Sequence, residues 1–423
     1  MTILLSRKSE ITGAASELCE TEGHVPTLGE NGVVFLRYWG SHFKTRRQAH
    51  GMAAEFRPIV ERGWHCHLVL EREPEEVEWL QPLLDLGVEL HLEPRPRGKY
   101  EVRCVLRVTR LCRRLQADIF VCDNIHMSPL LGAAAARVRV RIWIKRAMNS
   151  SYEEVRVPGL KERIAFSTRL SCFLATRVIT VSGAVKHELV ALGIPAFKLL
   201  VRLNPRRLAA SRKGRDRSAV RRSYGYSEQD VVITTIGHSV PVKGWDVLLP
   251  AFAKVSVTEP AARLLFIGGF ERPEEKEIYE KLRYETARLN LEGSIIFAGH
   301  VENVAELLSA ADLFVMPSRS EGSGTALVEA LEAGLPCIAT RVGIAEQVVL
   351  PGVNGFLVER GDERPLADAV LRVVADRKLR EELAANARVP DCVPDLPGYA
   401  EGMTTDYAAL FGTRRRRVKK AAR

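Results

Sequence analysis

No apolar run in this sequence is long enough to cross a bilayer: stretches such as "VVITTIG" and "LLFIGG" have strand length, well short of the roughly 20 residues that a spanning helix needs. No secretory signal is expected either, because the short apolar start is interrupted at once by Arg7, Lys8 and Glu10, without the charged-then-apolar order of such a signal. Residues 1–30 read instead as a mobile extension. Paired cysteines are missing: Cys19, Cys66, Cys104, Cys112, Cys122, Cys172, Cys337 and Cys392 are scattered, with no C-x-x-C and no neighbouring His at metal-ligand spacing. That excludes a zinc ribbon or a dithiol redox centre and fits a reducing cytoplasm, where most are small core residues. No D-x-D element stands in a suitable strand-end loop, so no metal is expected. Basic residues interleaved with aromatics are absent too, which makes nucleic acid the weakest partner class.

What is present is an ordinary globular composition, 46% hydrophobic and 27% charged, in a chain too long for one core; two domains, or three at most, are expected. The formal charge of +10 points to an anionic partner. Much of the excess lies between Arg202 and Arg222 and in the tail "TRRRRVKKAAR". Two readings stand side by side: a solvated linker and tail, or contact with an anionic membrane surface, where each basic residue contributes on the order of 1 kcal/mol. The expected location is the cytoplasm, with a peripheral position at the inner membrane face as the second reading.

From Gly32 the sequence alternates short β-branched runs with helical patterns. "VVFLRYW" and "HCHLVLE" read as strands with a helix over Arg46–Arg62 between them; "GVELHLE", "DIFVCDN", "RIWIKRA" and Val178–Val181 continue the series, and a helix starts at Ser182 and closes at Gly193. Strands separated by helices predict βαβ units and a parallel sheet. Residues 204–229 are polar, basic and poor in β-branched residues, as an interdomain linker with one short helix would be. A second alternating series runs over 230–395, residues 396–412 predict a helix packing back on the first domain, and 413–423 are a basic tail. The fold class is therefore α/β, with two Rossmann-like doubly wound domains (the first over 31–203) facing a central cleft. Ligands in such sheets bind beyond the carboxyl ends of the strands.

Two segments fit that rule. After "VVITTIG", Gly237 and His238 leave the strand and Lys243-Gly244 opens the next helix. A cation at a helix N-terminus opposes the macrodipole, so either Lys243 faces solvent in a turn or an anion sits there. After "DLFVMPS" comes "SEGSGTALVEAL", in which Glu321 precedes Gly322-Ser323-Gly324-Thr325 and a helix with the apolar face Leu327, Ala330 and Leu331. The free N–H groups of that first turn suit an anion. Glu329 lies about 200° round the helix from Leu327 and can face the cleft. Taken alone, Glu321 could be a capping acid and Glu329 a surface acid. Two anion-suited turns at strand ends of one sheet instead suit a diphosphate, with the carboxylates accepting from hydroxyls on either side.

The segment "SRSEGSGTALVEALEAGLPCIAT" resembles the E-x7-E signature of the retaining GT-B glycosyltransferases of family 4. The similarity extends to "IGHSVPVKGWDVLLPAF", "IIFAGHVENVAELLSAADLFVMPS" and "NGFLV", and more faintly to "VITVSGAVKHELVALGIP" in the first half. The resemblance implies a GT-B fold with an acceptor domain followed by a nucleotide-sugar donor domain. It implies transfer of a sugar from a nucleotide-diphosphate-sugar to a saccharide, lipid-linked or small-molecule acceptor, with retention of configuration, in glycan or envelope polysaccharide biosynthesis. No cofactor or metal is implied, since the nucleotide-sugar is a co-substrate. Lys243 would hold the diphosphate, Glu329 the ribose and Glu321 the sugar hydroxyls; Gly299-His300-Val301 would lie against the nucleobase, and His126 would reach the sugar unless it is an ordinary loop histidine. The chain departs from the family in three places: His238 stands where an Arg is common, "WGSHFKTRRQ" lacks paired glycines, and "RVGIAEQ" is one residue short, with Glu346 matching the terminal acid. A nucleotide-sugar epimerase or hydrolase, or a catalytically weak glycan- or nucleotide-binding homologue, are the rival readings.

Overall fold

A computed structural model describes residues 32–421 apart from 40, 42, 44, 99, 124–126, 149–159, 207–215 and 271; side chains are not described for 160, 161, 274 and 413–421. The β-branched and aromatic runs form strands because each is flanked by helices that cover both faces, which is where continuous apolar runs are stable. In the first half these are β1 (Val34–Tyr38), β2 (His65–Leu70), β3 (Glu89–Leu92), β4 (Ile119–Asp123), β5 (Val140–Lys145), β6 (Arg177–Thr180) and β7 (Leu199–Val201). The second half contributes β8 (Val231–Ile236), β9 (Ala262–Ile267), β10 (Ile295–Phe297), β11 (Leu313–Met316), β12 (Cys337–Thr340) and β13 (Gly355–Val358).

The strands make two parallel sheets, ordered β3-β2-β1-β4-β5-β6-β7 and β10-β9-β8-β11-β12-β13. Each winds outward from its first strand in both directions, so each has a topological switch, between β1 and β4 in one and between β8 and β11 in the other. Crevices for ligands open at those switches.

Four apolar clusters, two per sheet, pack the helices onto the strands. One of the first-sheet clusters includes Tyr399, Met403 and Tyr407 from the helix Leu396–Ala421, which returns from the end of the chain. Arg202 fixes that return by a bidentate pair with Asp406, at 2.6 and 2.8 Å. Six cysteines are buried and free, and Cys392 is exposed; burial pushes the Cys66 thiol up to about 12, so it packs as a small apolar group. Among the described residues no helix is long and apolar enough to cross a membrane.

Candidate functional site

The second sheet brings the two sequence-predicted turns together because β8 and β11 are neighbours. Beyond β8, Pro241–Lys243 forms one 3-10 turn, Gly244 takes a left-handed conformation, and the helix begins only at Trp245. Lys243 therefore stops short of the helix it was expected to open. Its charge is balanced within the protein: Nζ donates to Glu321 Oε1 at 2.7 Å, and the Ser318 hydroxyl donates to the same oxygen at 2.8 Å. The side chains are 22% and 12% exposed. The pair is thus dry enough to be strong, yet one edge is open to a competing anion. The lysine stem lies over Gly237, where a Cβ would come within 3.1 Å of its methylenes.

Gly322 has a different reason from the one its sequence context suggests. A Cβ there would sit 1.9 Å from the Arg146 carbonyl oxygen, just beyond β5 of the first sheet. The glycine admits the backbone of the other domain. The contact is completed by Ser182, whose hydroxyl donates to the Gly322 carbonyl at 2.6 Å and accepts the Val185 N–H at the start of its helix. Gly324 then caps the helix Thr325–Glu332 in a left-handed conformation, and the buried Ser323 carbonyl accepts from the Ile344 N–H at 2.9 Å. Thr325 and Glu329 are half-buried on that helix. Because the atoms nearest that Cβ, from Arg146 and Ala147, all belong to backbone, Gly322→Val should hold the domains apart. A displacement of about 1 Å at a reacting centre costs about 100-fold in rate, and small-angle scattering should show an expanded particle with both cores still folded.

The other predicted residues spread along the same sheet edge. Gly299, His300 and Val301 follow β10, two strands from β8; the Gly299 carbonyl accepts from Gly268 at 2.9 Å, His300 is exposed, and Val301 packs on the core beneath. His238 is 55% exposed, with Nδ1 3.0 Å from Glu275 Oε1. Glu346 is exposed and pairs with Arg341 at 3.2 Å. His126 and parts of the "WGSHFKTRRQ" loop lie outside the described residues.

Three features escaped the sequence reading. Glu275 is a buried carboxylate whose Oε2 accepts the Arg272 N–H at 3.2 Å; in the sequence it is one acid of the run "ERPEEKE". Ser182 was legible as a helix start but not as an interdomain donor. At the first sheet's switch, a buried charge network joins Arg37 of β1, Glu55, Asp123 at the end of β4, and Arg146. Arg37 Nε lies 3.1 Å and Arg146 Nε 2.7 Å from the Asp123 oxygens. Burial would raise the Asp123 carboxyl, but Arg146 and Arg37 outweigh it and hold the group below the usual carboxylate range. An acid closing the strand "IFVCD" was its only sequence signal. Arg146 links this network to the contact at Gly322.

Two family models match the chain: "Glycosyl transferase 4-like domain" over residues 45–205 and "Glycosyl transferases group 1" over 216–389. N-acetyl-alpha-D-glucosaminyl L-malate synthase of Bacillus anthracis is 36% identical over 174 residues, which cover 41% of this chain and 44% of that protein. D-inositol 3-phosphate glycosyltransferase of Acidothermus cellulolyticus is 28% identical over 314 residues, 70% of this chain and 69% of that one. Among solved structures, Anabaena HepE in complex with UDP superposes with a TM-score of 0.70 at 20% identity, covering 89% of this chain and all of that one.

Proposed function

From a chain that belongs to the GT-B glycosyltransferases of family 4, we propose an enzyme that moves a sugar from a nucleotide-diphosphate-sugar, of the uridine type, to an acceptor hydroxyl with retention of configuration. The observation that carries this reading is the Lys243–Glu321 pair at the β8/β11 switch, facing the first domain through Gly322. An incoming diphosphate competes with Glu321 for the ammonium. Freed of Lys243, Glu321 accepts from hydroxyls of the transferred sugar, and Glu329 accepts from the ribose. The bond from the anomeric carbon to the diphosphate breaks, the bond to the acceptor oxygen forms on the same face, and the acceptor proton leaves with the departing phosphate. Positive charge fixed at that phosphate lowers the barrier.

Residues 31–203 take the acceptor side and 230–395 the donor side of this assignment, with the nucleobase against Gly299, His300 and Val301. His126 is assigned to the sugar from sequence alone. The acceptor class is a saccharide, and a lipid-linked one would bring the basic residues 413–423 to an anionic membrane surface.

His238 stands where a guanidinium would supply fixed donors, and a single imidazole needs orienting to serve a phosphate. The buried Glu275 carboxylate at Nδ1 supports that orientation. Glu275→Gln should raise KM for the donor roughly tenfold, equivalent to about 1.4 kcal/mol of lost ion-pair contact with His238, with a smaller change in kcat. The reading as a whole is tested with a panel of nucleotide-sugars, with and without saccharide and lipid-linked acceptors. Nucleotide release that depends on an acceptor is expected. An epimerised or hydrolysed donor formed equally fast without acceptor would overturn the transferase reading, and binding without turnover on any pair would favour a binding homologue.

A further inference from the structure

On the two outer strands of the first sheet, His67 of β2 and Glu89 and His91 of β3 bring one nitrogen or oxygen each within 4.8 Å of one another. The parallel register sets His67 opposite Glu89 and Val69 opposite His91. Side chains alternate along a strand, so His65, His67, Glu89 and His91 all leave the sheet on one face. β3 is the edge strand. This placement is unusual for a core, which has no need of two imidazoles: His67 and His91 are 5% and 0% exposed, among the most buried polar residues of the first domain.

The spacing is informative. His67 Nδ1 lies 3.2 Å from His91 Nε2 and 3.4 Å from Glu89 Oε2. In a tetrahedral zinc site with N and O ligands at roughly 2.0–2.1 Å, neighbouring ligand atoms stand about 3.3 to 3.4 Å apart. The second distance equals the edge of such a tetrahedron, the first is about 0.1 Å shorter, and the Glu89 and His91 ligand atoms lie within 4.8 Å of each other. The three groups are also chemically suited, since imidazole and carboxylate are ordinary ligands of borderline divalent metals. Glu89 is half-exposed and the exposed His65 stands beside it on the same face, which leaves an entry path and a fourth position for water. Arg114 lies within electrostatic reach of His91 and opposes a bound cation, while the Glu89 carboxylate offsets it. The buried His91 Nδ1 has no hydrogen-bond partner, so hydrogen bonding within the protein does not fully account for this ring.

We propose that His67 Nδ1, His91 Nε2 and the Glu89 carboxylate bind one divalent cation of the zinc class, which ties the edge strand β3 to β2. The site lies on the two outer strands of the first sheet, whereas Lys243 and Glu321 lie on the second, so its role is structural and sugar transfer proceeds without passing through it. The test uses untagged full-length protein, stripped with chelator and titrated with Co(II). One equivalent should bind with the intense visible bands of tetrahedral cobalt, and Zn(II) should displace it and raise the melting temperature. Glu89→Gln replaces a half-exposed group and should leave the circular dichroism spectrum unchanged while weakening the metal by roughly tenfold or more, as loss of even an outer-shell partner does. His67→Asn should abolish the bands. A weak octahedral spectrum in the wild-type protein would overturn the proposal, because the paired histidines would then be only a buried hydrogen bond. Tetrahedral bands of equal affinity in both variants would place the cation elsewhere and overturn it as well.

Discussion

Lys243→Ala is expected to slow sugar transfer about 100- to 1,000-fold, the range found when one fixed donor to a developing negative charge is removed. The direction follows from what the ammonium does in each state. Without donor it is neutralised by Glu321 at 2.7 Å, so little of its interaction energy is left unused in the resting enzyme. With donor bound it turns to a diphosphate whose charge grows as the sugar departs, and its contribution rises toward the transition state. kcat should therefore fall more than KM rises. The substitution also strands Glu321, a carboxylate only 12% exposed, leaving the Ser318 hydroxyl as its donor. The donor-free variant should lose about 2 kcal/mol of stability. The folding effect separates in the double variant Lys243→Ala/Glu321→Gln, in which stability returns; because Glu321 also serves the sugar, the catalytic effect of the lysine is read from Lys243→Ala alone. Thermal melting and single-turnover nucleotide release measure the two. A Lys243→Ala enzyme that releases nucleotide at the wild-type rate would remove the lysine from the site.

The pairing of those two residues marks the limit of what the chain reveals before folding. Period and composition were enough to find both sheets, because buried parallel strands read as apolar runs and the intervening helices as amphipathic segments. They also located Lys243 and Glu321, since each lies just past a strand end. Their contact was not legible. It depends on β8 and β11 being neighbours although two strands come between them in sequence, and local patterns carry no information on strand order. Gly322 shows the same limit. Its sequence setting suggested a bare backbone for phosphate, while the space its missing side chain leaves is filled by the Arg146 carbonyl from 176 positions earlier. Glu275 was hidden for another reason: in a run of acids, only tertiary packing decides which one is buried. The His67–His91 pair was overlooked because a period-two pattern on a strand is ordinarily read for its apolar members alone.

Asp123→Asn should be the most damaging single substitution in the first domain, costing about 3–5 kcal/mol, the range for breaking a buried ion pair by removing one partner. Two guanidiniums converge on this carboxylate, Arg37 at 3.1 Å and Arg146 at 2.7 Å. Glu55 pairs directly with Arg37 and reaches Arg146 only through space. With the charge at 123 gone, Arg146 keeps Asn204 Oδ1 at 3.3 Å as a neutral acceptor, which cannot balance a cation. The pH dependence follows from the depressed carboxyl. Its stabilisation is complete above the unfolded-state value of about 3.9 and is lost as pH falls through the lower folded-state value. Wild-type protein should therefore lose stability below about pH 4 through this group, and Asp123→Asn should lack that component because its penalty is already present at neutral pH. Four of the five tryptophans, Trp39, Trp64, Trp79 and Trp143, lie in the first half of the chain, so tryptophan fluorescence during urea unfolding reports mainly on this domain. The network also ends at Arg146, whose carbonyl meets Gly322. Transfer should consequently fall in Asp123→Asn even where the fold survives, while nucleotide affinity, which depends on the second sheet, changes little. Parallel loss of nucleotide binding and of transfer would instead mean that the network supports the donor half directly.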